Sequence, residues 1–258
     1  MSAVLDTVKS LRQSAKSARD AAVLDRDPLA LEVARSLLQR AISLLTPLIP
    51  MRGAEWTRTN RDHAERLYQC LGSLGGTWRD SAEFEGDDEK RRAHWDRSIA
   101  CYDDGYTIES GTHDDYPDFE FADSYNLLQR LVVRVLREPR CLGDGSKDLG
   151  KGLNVPEELA GAERLISHQL EGPRKDDAWA MADLAMLRIL SGQSRESAWQ
   201  KFAESNRSSQ AYEANHRAFT ALVASVARND PPPDWLPPAK DTVIWLAERL
   251  KTLYGIEV

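Results

Sequence analysis

The chain has 258 residues, 41% of them hydrophobic and 29% charged, with a formal net charge of −7. That length suits one elongated domain or two small ones with a full core. The acid excess argues against generic nucleic-acid binding, which needs a basic stripe. No apolar run approaches the roughly 20 residues of a membrane-spanning helix. The N-terminus MSAVLDTVKSLRQSAKSARD is amphipathic and mixed in charge, without a secretory pattern. The expectation is a cytoplasmic protein with no membrane association.

Helical periodicity dominates the chain. Residues 3–24 read as a first helix. Asp27-Pro28 then supplies an N-cap acceptor followed by proline at the first helical position. The next helix carries Leu31, Ala34, Leu37, Leu38, Ala41, Ile42 and Leu45 at three- and four-residue spacing, and Pro47 and Pro50 end it. Residues 1–50 are thus an N-terminal helical hairpin. Residues 57–80 predict a helix, followed by the polar, acidic stretch SAEFEGDDEKRR and a helix over 90–108. A loop SGTHDDYPDFEF precedes a helix over 121–137, in which the run Val132 to Val135 is the best local strand candidate and is assigned to helix. Residues 138–155 hold four glycines and a proline and read as a long loop. Helices follow over 156–171, 175–191, 194–206 and 208–228. The proline-rich connector 229–238 and a C-terminal capping helix over 239–258 complete the chain.

The stretch CLGSLGGTW, Cys70 to Trp78, packs three glycines into nine residues. A phosphate-binding P-loop would need a lysine after the last glycine, and no lysine occurs between Lys16 and Lys90. A dinucleotide fingerprint would need G-x-G-x-x-G after a strand, whereas Gly72, Gly75 and Gly76 follow a helical pattern. Leu71, Leu74, Gly75 and Trp78 instead share one helix face. Glycine in a helix interior costs about 0.5–1 kcal/mol relative to alanine, and close approach of a neighbouring helix is a reason to tolerate it.

This pattern resembles the first helix of a tetratricopeptide repeat, with Leu71, Leu74-Gly75 and Trp78 at its large, Leu-Gly and aromatic positions. Ser98, Tyr102 and Gly105 match the second helix, after a turn about eleven residues too long for the pattern. Two further units resemble it. One is ADSYNLLQRLVVRVL at 122–136, partnered by 156–171. The other, at 181–205, has Leu184-Ala185, a turn at Gly192, then Ala198 and Phe202. The order of segments from DDYPDFEFADSYNLL to YEANHRAFTALV is also similar to the helical-repeat region called the TRAFs-binding domain. The resemblance spans residues 55–228.

It implies an all-α solenoid of antiparallel helix pairs that binds another protein or peptide, an effector enzyme among the candidates. Such a chain acts as an adaptor in bacterial-type signalling or defence, with no cofactor and no catalysis of its own. First helices of such repeats line a concave groove. Spacing from the matched residues places Gln69, Ser73, Arg79, Asn126, Gln129, Trp179, Asp183 and Met186 toward it.

Other constellations have two readings each. His113, Asp114, Asp115 and Asp118, with Glu120, are the densest potential metal ligands. They would serve a metal-dependent or nucleotide-handling enzyme, or they are acids complementing a helix start. The run from Glu83 to Glu89 is a docking surface for a basic partner or a solvated insertion. Cys70, Cys101 and Cys141 form no disulfide framework or zinc pair and read as reduced, partly buried thiols. The histidines His63, His94, His113, His168 and His216 make no helical zinc pair. Most of the seven tryptophans read as core. Trp235, amid prolines, is either a plug for the last helix or an exposed anchor.

Overall fold

The structure, a computed structural model, describes residues 3–49, 57–114, 124–142, 155–172, 174–204, 209–226 and 232–258. Among these residues there are ten α-helices, two short 3-10 turns and no strand. The chain divides into two compact units, Met1–Val133 and Arg134–Val258.

Unit 1 is built from α1 (Ala3–Asp25), α2 (Pro28–Leu45), α3 (Arg58–Phe84), α4 (Asp88–Asp114) and most of α5 (Tyr125–Arg137). The predicted start of α2 forms as its sequence dictates. The Asp27 carboxylate accepts from the Leu29 amide at 2.9 Å, and Pro28 needs no partner for its nitrogen. Arg26 makes the turn in a left-handed conformation, φ 52°. Val8 of α1 packs with Ala41 and Leu45 of α2 and with Leu67, Cys70 and Leu71 of α3. Further along, Ala15 packs with Ala34, Leu38 and Leu74. Alanines on α1 and α2 let the helices approach, and the leucines fill the space between them.

The α3–α4 region departs from the sequence expectation. The acidic stretch is not an inserted loop: α3 continues to Phe84 and α4 begins at Asp88, which leaves only Glu85 to Asp87 between them. Within the stretch SAEFEGDDEKRR no helix breaker occurs before Gly86. The acids that follow suit a helix N-terminus, where the exposed amides carry partial positive charge. The Asp87 carboxylate accepts from the Lys90 amide at 2.9 Å, which holds its pKa below the ordinary aspartate value. Arg91 closes the turn by donating to the Glu85 carbonyl at 3.0 and 2.9 Å and to Asp88 at 2.9 Å. The other end of α4 also overruns the predicted 108. Ser-Gly-Thr inside a helix costs only about 1 kcal/mol at the glycine, and the chain stays helical to Asp114. The Val132–Val135 run is helical, as assigned, with Val132, Val133 and Val135 buried.

Unit 2 holds α6 (Val155–Glu171), α7 (Ala178–Leu190), α8 (Arg195–Ala203), α9 (Ser209–Ser225) and α10 (Leu236–Tyr254). α6 packs on α7, α7 on α8 and α9 on α10, and α10 also touches α7 and α8. The turn after α7 uses Gly192 at φ 80°, a conformation that favours glycine. Leu184, Ala185, Ala198 and Phe202, the matched positions of this pair, are all buried. An aromatic cluster joins three helices: Trp199 lies 5.0 Å from Phe202, 5.8 Å from Phe219 and 5.5 Å from Trp245, ring centre to ring centre. The connector is shorter than predicted, because Pro237 and Pro238 form the first turn of α10. Helix-start amides have no intrahelical acceptor, so prolines lose nothing there. Trp235, the N-cap residue of α10, is buried, so it is a plug and not an exposed anchor.

Candidate functional site

The glycine face of α3 is a packing surface. Ser98 of α4 donates its hydroxyl to the Gly75 carbonyl at 2.7 Å, and the buried Tyr102 ring lies against Gly75. A Cβ on Gly72 would stand 2.6 Å from the Asn126 Oδ1. One on Gly105 would stand 2.9 Å from the same side chain. Asn126, only 2% exposed, donates to the Tyr68 carbonyl at 3.2 Å and to the Glu109 carboxylate at 3.4 Å. It ties α3, α4 and α5 together from inside. Tyr102 and Tyr125 meet hydroxyl to hydroxyl at 3.3 Å, and Arg130 stacks 4.0 Å over the Tyr106 ring.

Gly76 faces the other way, toward α1. A Cβ there would meet the Arg19 guanidinium at 2.9 Å. Arg19 makes a bidentate pair with Asp80, whose side chain is 7% exposed. Burial works against the Arg19 charge. The Asp80 carboxylate more than offsets it and raises the guanidinium pKa. This pair fixes α1 against α3 and closes one end of a groove between them.

The groove has a volume of about 590 Å³, within the range of ligand-sized clefts. Leu5, Ala15 and Leu38 contribute apolar surface to it. Lys9, Arg12, Lys16, Arg19 and Arg66 line it alongside two carboxylates, Asp6 and Asp20. Gln13, Ser73 and Thr77 complete the lining. The Ser73 and Thr77 hydroxyls donate back to the carbonyls of Gln69 and Ser73, so each keeps an oxygen able to accept.

Five of the eight residues expected in a groove belong to unit 1. Ser73 lines the α1–α3 groove. Gln69 is bound by its arginines, accepting from Arg12 at 2.6 Å and Arg66 at 2.9 Å while donating to Glu65 at 2.9 Å. Arg79 reaches across to α5 and donates to Gln129 at 2.8 Å. Asn126 sits in the core, as described above. The other three belong to unit 2, where Met186 is buried, Asp183 half-buried and Trp179 46% exposed. Sequence reading missed the cations of α1. Their signal was present in the spacing of Lys9, Arg12, Lys16 and Arg19, which repeats every three or four residues along one helix face.

A second cluster surrounds Trp78. Arg35 and Arg97 lie 4.3 and 4.7 Å from its ring centre, and His94 stacks at 5.4 Å. Burial, with the two arginines nearby, lowers the His94 pKa, and Glu85 at 3.9 Å acts in the opposite sense. Burial also pushes the thiols up, Cys70 to about 11 and Cys101 and Cys141 to about 12. Of the alternative metal set, His113 and Asp114 fall in the last turn of α4, and Asp115 and Asp118 lie outside the described residues. Among the described residues no group of three or more His, Cys, Asp or Glu is placed to hold a metal ion.

A scan against protein-family models finds no match to the chain, and comparisons with curated proteins and with solved structures find none.

Proposed function

We propose that the chain is a tetratricopeptide-like module that binds a protein or peptide, acting as an adaptor or regulator in bacterial-type signalling or defence and carrying out no chemistry itself. The α1–α3 groove carries this reading. It is a cleft between two helices of one unit, with apolar surface and a rim of long polar side chains, suited to a stretch of polypeptide. The register of contacts supports antiparallel pairing: Val8 meets Ala41 and Leu45, while Ala15 meets Ala34 and Leu38. Gly75 meets Ser98 and Tyr102, while Gly72 and Gly105 both close on Asn126, which is the same sense for α3 and α4. Of these contacts, those of Gly75 with Ser98 and Tyr102 fall on positions at which the sequence resembles the repeat. The α3–α4 pair departs from that pattern in length. Each helix has 27 residues, whereas a whole repeat has about 34, so this pair is an elongated form of the hairpin.

Selection of displayed peptides on the full chain tests the reading, followed by calorimetry and a hydrogen-exchange footprint. A peptide that saturates one site per chain and slows exchange in α1 and α3 supports it. Failure of every selected peptide to saturate overturns it.

A further inference from the structure

Four cations of α1 point into one groove of a chain whose net charge is −7. Counting Arg66, five cations line it alongside two carboxylates. They are not equally committed. Arg19 is held by the nearly buried Asp80, and Arg66 is shared between Glu65 at 3.8 Å and Gln69. Lys16 pairs with Asp20 at 3.3 Å in full view of solvent, an arrangement worth little and readily exchanged. Arg12 is bonded to the neutral amide of Gln69, and Lys9 has no ionic partner among the described residues. The groove therefore presents a row of available positive charge beside apolar surface, with the exposed Gln13 amide between Lys9 and Lys16.

We infer that this groove takes a short extended peptide segment bearing acidic side chains, an inference that rests on reading the chain as a peptide-binding module. Lys9 and Lys16 are separated by about 10 Å along the helix, the length of about three extended residues. Two carboxylates on alternate residues of such a segment point to the same side and meet Lys9, Arg12 and Lys16. Gln13 offers both a donor and an acceptor to the segment's backbone. Apolar stems of the peptide lie on Leu5, the half-buried leucine of the lining. A nucleic acid is the less suited occupant, because the free cations are few and the rest of the chain is acidic.

Fluorescence anisotropy with the full chain tests this. The probes are a labelled peptide with alternating glutamates, its glutamine counterpart, a lysine-rich peptide and a short single-stranded oligonucleotide. The glutamate peptide is expected to bind, and to bind more weakly as sodium chloride is raised. Lys9→Glu/Lys16→Glu, both exposed positions, should weaken it by about tenfold. Arg12→Gln should weaken it also, while Lys240→Glu, an exposed cation of unit 2, leaves it unchanged. Melting curves of the variants confirm folding. Equal binding of the glutamine peptide, or tighter binding of the lysine-rich one, overturns the acidic specificity and leaves peptide binding standing. Glutamate-peptide binding that ignores the Lys9 and Lys16 reversals overturns the site. Tighter binding of the oligonucleotide through the same two lysines overturns the ligand class. No binding by any of these peptides overturns this inference, and the function it rests on falls only if the selection of displayed peptides fails as well.

Discussion

The ring of Tyr102 occupies the space that a methyl group on Gly75 would need, its carbons lying 2.9–3.0 Å from that position. Tyr102 is fully buried and its hydroxyl meets Tyr125, so the ring has nowhere to retreat. Gly75→Ala should therefore destabilise unit 1 by about 1–3 kcal/mol, even though alanine is the better helix former by about 1 kcal/mol. Gly161 in α6 is the control. Nothing stands within 4 Å of its missing Cβ, and Gly161→Ala should stabilise by about 0.5–1 kcal/mol. Urea denaturation of both variants measures the two signs.

The Arg19–Asp80 pair predicts an asymmetric pair of losses. Arg19→Met leaves a carboxylate that is 7% exposed with only the distant Arg79, at 3.9 Å, to balance it. That should cost about 3 kcal/mol. Asp80→Asn keeps an oxygen acceptor for Arg19, which still reaches solvent, and should cost about 1–2 kcal/mol. The double variant Arg19→Met/Asp80→Leu should recover much of the loss, and a cycle closed with the single Asp80→Leu measures the coupling.

Stability should fall in mild acid. Burial lowers the folded-state pKa values of His94 and His216 below the 6.5 of an unperturbed histidine. Around and below pH 6.5 the unfolded chain then binds more protons than the folded one, so stability rises with pH. The contribution is fully present above about 6.5 and is lost as pH falls toward the folded values. Urea midpoints at a series of pH values between 5 and 8 should show this slope, and His94→Gln should flatten it.

The three thiols should be slow to react. With pKa values of about 11 for Cys70 and about 12 for Cys101 and Cys141, almost no thiolate exists at pH 8. Alkylation of the native chain should label none of them within the time that labels all three in urea, as read by intact-mass spectrometry.

Two tryptophans should behave in opposite ways. Trp235 is buried at the start of α10, and Trp235→Ala should cost about 3–5 kcal/mol. Trp179 is 46% exposed on α7, and Trp179→Ala should change stability by less than about 1 kcal/mol. Thermal melts of the two variants give the comparison.

Much of the fold was readable from neighbouring residues alone. The stripe Leu31, Ala34, Leu38, Ala41, Leu45 specifies a helix and its buried face, because helical spacing is a local property of the chain. Asp27-Pro28 specifies where that helix begins for the same reason. The glycines at 72, 75 and 76 specified close packing, although not against what. Helix ends were less legible: at 81–84, 88–90 and 108–114 charged or glycine-bearing sequence is compatible with both loop and helix, and the chain is helical there.

The sequence by itself thus determined the helices, their apolar faces and the absence of room at Gly75. Tertiary structure alone decided partners distant in the chain. It drew Asn126, expected at a groove, into the core between α3 and α4, where the Tyr68 carbonyl and Glu109 accept from its amide nitrogen. It also turned four evenly spaced cations of α1 into one wall of a cleft by setting Arg19 on Asp80, 61 residues away. Periodicity records which side of a helix is buried or charged. What that side faces depends on the chain folding back on itself, and no local spacing encodes it.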